Sequence, residues 1–497
     1  MNDLILVWSD TVLDLADLLT DVQDPAYIVG GAVRDAVLRR PIKDVDIATA
    51  GSGIALAKRI ANRLKGDFYA LDTGRDVGRA LVDSPDGKLI FDVAGFRGDD
   101  LEADLRDRDF TINALAVNLL GDLQHVVDPT GGVKDLINKT VRRCAATSVW
   151  DDPIRAMRAI RISVELGFRI EPETLKDMRA NVSRLPETSA ERVRDELMRM
   201  LGLGKAVAAI RVADAVGVLD VVLPELTKLH GLPQSPPHAF DAWEHTLATM
   251  EHLNDLLASI LPTRTDETSA QFSLGTLVVA LDRFRQPLQE HLSKTWADDR
   301  PHRALMLLAA LLHDVGKGVI ERTESPVTGR LIYHKHEAAS AEIAETKLTD
   351  LHFSSAERDR VTTAVRHHAP AEIWTPTVSP LNVHRFWRRY GAAGIDIILL
   401  TLADYLGMVG SAVDQDKWLR AVENAQTLLH AYFEDYDRIV EPPALINGTE
   451  LMTALDLKPG AVIGELLQVI REAQVTGEVE TVDDALRVAR HELDQRA

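Results

Sequence analysis

Apolar and polar residues alternate in short runs through roughly the first 145 positions of the chain, and then the period changes. AYIV, VDIA, FYALD, ALVD, KLIFDVAGF and LQHVVDP read as strands separated by helical patterns such as ALAKRIANRL, so this part predicts an α/β domain. From Asp151 onward apolar residues recur at three- and four-residue spacing in RAMRAIRISVEL, ETLKDMRANVSRL and ERVRDELMRMLG. That spacing predicts helices almost throughout and no further strands. PELTKLHGLPQSPPHAF, around 224–240, is rich in proline and glycine and predicts a joint between two helical regions. Residues 255–300 carry little periodicity and read as loop or insertion. From Glu441 the pattern predicts two helices joined by the turn residues LKPG.

Composition limits what these elements can be asked to do. A chain of 497 residues supports about three domains, each with its own core. With 46% hydrophobic and 27% charged residues it is an ordinary globular chain. No apolar run approaches bilayer length, and the start, MNDLILVWSDTVLDLADLL, has early acids and no basic leader pattern, so the expected location is the cytoplasm, away from any membrane. One cysteine, Cys144, excludes an internal disulfide framework and a cysteine zinc cage. The net charge of −20 argues against broad attraction to nucleic acid, so a polyanionic ligand needs a focused patch.

Candidate chemistry starts in IVGGAVRDAVLRRPIKDVDIAT, residues 28–49. Asp44 and Asp46 stand two apart in a strand-like run, which puts both carboxylates on one face. Two hard oxygen ligands suit magnesium, completed by substrate phosphates and water. Gly30 and Gly31 precede a helix starting near Ala32, whose free N–H groups can receive a phosphate, with Arg34 one turn in. Asp92, in LIFDVA, is a candidate third carboxylate or else a strand-edge acid, and Arg108, in LRDRDFTINALAVN, is a candidate phosphate or ribose contact. In DDPIRAMRAIR, residues 151–161, Asp152 before Pro153 reads as a helix cap. Arg155, Arg158 and Arg161 then fan over about 120° of helix surface. Only Glu165 lies at pairing distance along that helix, opposite Arg161, so the fan is expected to meet phosphates or a nucleobase edge.

In this order, GGAVRD, DVD, RDFTINA, DPTGG, DPIRAMRAIR and ERVRDEL resemble the bacterial-type (class II) tRNA nucleotidyltransferase and poly(A) polymerase family over roughly residues 26–230. The resemblance implies an α+β protein: a nucleotidyltransferase head of polymerase-β-like fold at 1–145, a helical neck at 146–230, an HD-type helical domain at 231–430 and a helical tail at 431–497. It implies magnesium on Asp44 and Asp46, the triphosphate at Gly31 and Arg34, and Arg108 lining the nucleotide site. Asp152 with Arg155 would template the incoming base, with Arg158 and Arg161 beside them. A carboxylate accepts from the exocyclic amine of cytosine or adenine and a guanidinium donates to their ring acceptors, whereas uracil offers a carbonyl to the carboxylate. The implied substrates are tRNA, CTP and ATP.

Three departures stand out. Asp151-Asp152 replaces the usual Glu-Asp, and Asp107 replaces the first of two arginines. The segment DVAGFRGDDLEAD is short where CCA-adding members carry a longer loop, which resembles members that add only the two cytidines. The implied activity is therefore CCA addition or part of it, with CC addition or poly(A) synthesis as the close rivals.

LMLLAALLHDVGKG ends an apolar helix in His313-Asp314, with His245 upstream, His336 in YHKHE, the pair His367-His368, and Asp404 in LTLADYLG. Histidine and carboxylate together suit a divalent transition metal. The series resembles an HD phosphohydrolase domain, with His336 and either His367 or His368 available to a second metal. A metal phosphohydrolase acting on RNA ends is the reading from another functional class.

Overall fold

The computed structural model describes residues 5–85, 87–261 and 272–496. The chain divides into two compact units, Met1–Glu196 with Arg211–Val221, and Leu197–Ile210 with Val222–Ala497.

The first unit is built on a seven-stranded sheet of order β3-β4-β5-β2-β1-β6-β7. Its strands are β1 (Ala26–Val29), β2 (Asp44–Thr49), β3 (Asp67–Asp72), β4 (Val77–Ser84), β5 (Gly87–Gly95), β6 (Ala116–Asn118) and β7 (Val126–Val127). Only β2 and β5 pair in parallel, with Asp46 in register with Asp92. The predicted runs all form strands, and β6, inside a stretch read for its chemistry alone, joins them. Alternation along β2 buries Val45 and Ile47 and turns Asp44 and Asp46 to solvent. Ile28, Phe91, Val93, Phe110 and Ile112 fill the core. The helix Gly53–Leu64, capped by Ser52, which accepts from the Ala55 N–H, covers one face of the sheet.

Helices Arg155–Leu166 and Pro172–Asn181 follow, as the period change predicts. Two short pairs of strands escape that prediction, and the first is Arg169–Ile170, which runs parallel to Thr140–Val141.

Among the described residues the second unit is helical, apart from the two-residue strands Thr323–Glu324 and Leu331–Ile332. Helices Ala242–Ile260, His302–Leu312, Ser355–Arg366 and Ala393–Val409 pack around a common core. Ala393–Val409 is apolar because it is the buried centre of this unit, and among the described residues no single helix is long and apolar enough to cross a membrane. The expectation of a loop over 255–300 is corrected. Ala242–Ile260 runs into that stretch, and Phe272–Leu281 and Arg285–Leu292 are helices, while residues 262–271 lie outside the described residues. FSLGTLVVAL is apolar on nearly every side, so it carries no amphipathic period to read. At the C-terminal end Gly448–Leu455 and Ala461–Val475 flank the LKPG turn, and a third helix, Val482–Arg496, completes a small core around Leu451, Leu466, Ile470 and Ala485.

Candidate functional site

Gly30 links β1 to the helix Gly31–Leu38 with φ 77°, a conformation that L side chains rarely adopt. Space is short there too: a Cβ would lie 3.0 Å from Arg108 Nη1 and 3.4 Å from Asp46 Oδ2. The glycine thus lets the backbone pass directly beside a cation and a carboxylate. Arg34 is buried beneath this turn, where Nη1 donates to Asn113 Oδ1 at 2.8 Å while Nε and Nη2 donate to Asp35 at 3.0 and 2.9 Å. Arg108 is fixed by Asp104, Nε and Nη2 donating to Oδ2 at 3.1 and 2.9 Å. Crowding by surrounding protein raises the pKa of Asp46. Arg108 offsets part of that rise, and the like charges of Asp92 and Asp44 add to it. A bound cation would relieve that repulsion, so this donor set fits a divalent, oxygen-preferring metal.

Asp92 lies beside Asp46 across the parallel register, on the same face of the sheet. Its carboxylate is nevertheless occupied. Arg79, opposite it on β4, donates from Nε to Oδ1 at 2.7 Å and from Nη2 to Oδ2 at 2.8 Å. Nothing in the local sequence announced this arginine, because it belongs to another strand.

The arginine fan needs correction. Arg158 donates from Nε to Asp109 Oδ2 at 2.9 Å, and its Nη1 lies 3.4 Å from Glu196 Oε1. Arg161 donates from Nε to Glu196 Oε2 at 2.8 Å. Both acids are buried and come from other segments, so Arg158 and Arg161 tie helices together instead of presenting an open face to a nucleotide. Burial alone would raise the pKa of Asp109, but the charge of Arg158 and hydrogen bonds from Asn113, Arg158 and the Phe110 N–H bring it below the ordinary value. Asp152 does not cap its helix, which begins at Arg155 without a side-chain cap. Its two oxygens instead accept from Arg192, at 3.1 Å from Nη1 and 2.7 Å from Nη2. Arg155 donates to Ser148 Oγ and to the Asp107 carbonyl, both at 2.9 Å, and its Nε stands 4.0 Å from Asp152.

In the second unit the predicted histidines and aspartates converge. His245 Nε2 lies 3.0 Å from Asp404 Oδ1, 3.2 Å from Asp314 Oδ2 and 3.3 Å from His313 Nε2. His336 Nε2 is 3.1 Å and His368 Nε2 3.9 Å from Asp314 Oδ1. The Nδ1 atoms of His313, His336 and His368 face the carbonyls of Ala310, Tyr333 and Val365 at 2.8, 2.9 and 2.7 Å. A carbonyl only accepts, so each Nδ1 carries a proton and each Nε2 points inward, where giving up its own proton would free a lone pair for a metal. Asp314 Oδ1 is buried and receives no hydrogen bond from the described residues. Burial disfavours charge on His313, yet Asp314 and Asp404 push its pKa up to about 10, so protons hold the carboxylates together where a dication would serve. The set fits a divalent metal.

His367 does not belong to it. It ends the helix Ser355–Arg366 and turns outward, its ring 4.8 Å from that of Tyr390, so only one member of the histidine pair faces in. Three neighbours were missed. Lys317 donates to Asp314 Oδ2 at 2.6 Å and to Gln234 Oε1 at 2.8 Å, and the ring of His238 stands 5.3 Å from that of His245. Gln234 and His238 come from the proline-rich stretch read as a joint, which here lines the site.

A second buried cluster, His291, His302 and Asp396, also escaped the sequence. Trp296 Nε1 donates to His302 Nδ1 at 2.9 Å, so His302 Nε2 carries the proton and donates to Asp396 Oδ1 at 3.0 Å. Arg360 donates to Asp396 Oδ2 at 2.5 Å. The cation there is Arg360, and the cluster is a closed hydrogen-bond network.

Residues 26–142 match the poly A polymerase head domain, 167–229 the probable RNA and SrmB-binding site of polymerase A, and 286–408 the HD domain. The chain is 32% identical over 472 residues to an A-adding tRNA nucleotidyltransferase of Deinococcus radiodurans, covering 93% of this chain and 94% of that protein. It belongs to the tRNA nucleotidyltransferase family. Within this family it is also 32% identical, over 93% of its length and 90% of the relative's, to a CC-adding tRNA nucleotidyltransferase of Geobacter sulfurreducens. A CCA-adding enzyme solved with ATP shares the fold, with a TM-score of 0.61 and 20% identity over 97% of this tRNA nucleotidyltransferase-family chain and 94% of that one. The head, the helical segment after it and the HD region expected from the sequence are thus all present, although His245 precedes the stretch matched to the HD domain.

Proposed function

We propose that this chain extends the 3′ end of tRNA without a nucleic-acid template, transferring cytidine from CTP and leaving the terminal adenosine to another enzyme. The observation that carries the transfer reading is the solvent-facing pair Asp44 and Asp46 beside the Gly30 turn, with Arg108 fixed between them and Asp104. The limit to cytidine rests on the connection from β5, which ends at Gly95, to the helix Leu101–Arg106: only residues 96–100 intervene. A connection this short resembles that of members which add only the two cytidines.

Asp44 and Asp46 would hold magnesium, which supplies charge stabilisation for the attacking 3′-oxygen and the leaving pyrophosphate. The N–H groups at Gly31 receive triphosphate oxygens, with Arg34 buried behind the turn and Arg108 beside it. The new bond joins the terminal 3′-oxygen to the α-phosphorus of CTP, the α–β bridge breaks, and pyrophosphate leaves. Asp152 accepts from the exocyclic amine of the incoming base and Arg155 donates to its ring acceptors, which rejects uracil. Arg79 holds Asp92 out of the metal set. A tRNA-processing role also assigns the protein to the cytoplasm.

The test is to incubate the protein with tRNA lacking its CCA end and to supply CTP, ATP or both. Growth by two residues with CTP alone, unchanged by ATP, is the expected result. Growth by three with both nucleotides would make it a full CCA-adding enzyme, and long adenosine tails would make it a polymerase.

The converging His245, His313, Asp314, His336, His368 and Asp404 favour a second activity, a divalent transition-metal phosphohydrolase acting on RNA ends. Metal-dependent release of a phosphate group from an RNA 3′ end, lost in His313→Ala, tests it.

A further inference from the structure

Trp150 lies in the short helix Ser148–Asp151, and its side chain is 56% exposed. An indole is among the largest apolar groups a chain can bury, so one left open beside a working site invites a partner. One face of this ring is already covered. Arg184 lies over it with Cζ 3.8 Å from the centroid. That guanidinium is pinned in turn, because Nη1 donates to the Trp150 carbonyl at 2.6 Å while Nε and Nη2 donate to Glu187 at 3.0 and 2.6 Å. The result is a flat cation clamped behind a flat ring, with its charge balanced by Glu187.

The ring also stands in a telling place. Asp152 is two residues further on, so the two Cα atoms are at most about 7 Å apart. Asp152 and Arg155 are the groups assigned above to the edge of the incoming base. Edge recognition uses only the rim of a base, so a flat ring close by is free to take a base by its face. We propose that Trp150, backed by Arg184, is the stacking platform for an unpaired base at the RNA 3′ end.

Two arguments favour RNA over the nucleotide. The end of the acceptor changes identity as it grows, and stacking tolerates any base because every base has a π-face, whereas hydrogen bonds to an edge do not. The chain carries a net charge of −20, so affinity that does not draw on phosphate attraction is valuable to it, and the Arg184 charge is already spent on Glu187.

This inference rests on the nucleotidyl-transfer reading, and the experiment separates the two. Full-length protein is mixed with tRNA lacking its last residues and ending in 2-aminopurine, whose fluorescence is quenched by stacking. The wild type quenches it. Trp150→Leu, apolar but unable to stack, removes the quench and raises the KM for tRNA on the order of tenfold. It leaves the KM for CTP and the salt dependence of tRNA binding unchanged, and Trp150→Phe restores most of the quench. An unchanged quench and tRNA KM in Trp150→Leu overturns the platform. So does a rise confined to the KM for CTP, which would put the nucleotide on the ring. A wild type that extends no tRNA at all would sink the transfer reading, while the quench, needing no chemistry, would still decide the platform.

Discussion

Arg192 grips Asp152 with both terminal guanidinium nitrogens, at 3.1 and 2.7 Å, so the carboxylate assigned to the incoming base is held in one orientation by a neighbouring helix. Each oxygen keeps a lone pair for the exocyclic amine of cytosine. Arg192 is therefore a positioning residue, and removing it frees the carboxylate to rotate. Arg192→Ala is expected to raise the KM for CTP about tenfold and to increase uridine incorporation, with a smaller effect on kcat. Arg192→Lys, which keeps the charge but not the fork, should fall between. A kcat loss with unchanged KM and base choice would remove the positioning role.

Asp44 and Asp46 should behave as one unit, separate from the histidine cluster. Asp44→Ala or Asp46→Ala is expected to cut nucleotidyl transfer by about a thousandfold or more, since charge stabilisation at the phosphate is the main catalytic term. Metal bound in the other unit should be untouched. His313→Ala should do the reverse, losing tightly bound transition metal while transfer persists. Metal analysis of dialysed protein alongside product lengths on tRNA reads both halves, and either variant damaging both would show that the two sites are coupled.

Arg79 makes Asp92 unlike its two neighbours. Because its carboxylate already receives two hydrogen bonds, at 2.7 and 2.8 Å, it has less to offer a metal. Asp92→Asn is expected to lower kcat about tenfold, far less than Asp46→Asn, and to leave the magnesium concentration for half-maximal rate nearly unchanged. A magnesium requirement shifted as strongly as in Asp46→Asn would instead make Asp92 a ligand.

What could be read from the chain depends on how local the cause is. The period of two fixes the faces of Asp44 and Asp46, and the glycine pair marks the close approach at the turn, because both depend only on adjacent residues. The partners of Arg158 and Arg161 could not be read: Asp109 is 49 residues from Arg158 and Glu196 is 35 from Arg161, and only folding sets such pairs side by side. His367 and His368 are consecutive, so spacing offers both, and the geometry at the end of a helix chooses one. Trp296 and Arg360 are what distinguish the closed His291, His302 and Asp396 network from a metal site, and neither lies in a motif with them.

The Asp109–Arg158 pair should also set the acid limit of the first unit. Asp109 is 8% exposed and its pKa is held below the ordinary carboxylate value, so the folded state binds its proton less readily than the unfolded state does. The sign follows. Its contribution is complete above the unfolded value of about 4 and is lost as pH falls through the lower folded value. Protonation there removes the counter-charge of Arg158 and one side of the contact that binds the helix Arg155–Leu166 to the RDFTINA segment. Asp109→Asn should cost about 2 to 4 kcal/mol at pH 7, because it leaves a partly buried arginine answered only by Glu196 and the more distant charge of Asp152. Urea unfolding of wild type and variant from pH 7 to pH 3 checks this: the difference between them should shrink as the wild type loses the same charge. A constant difference across that range would show that Asp109 acts through shape and not through charge.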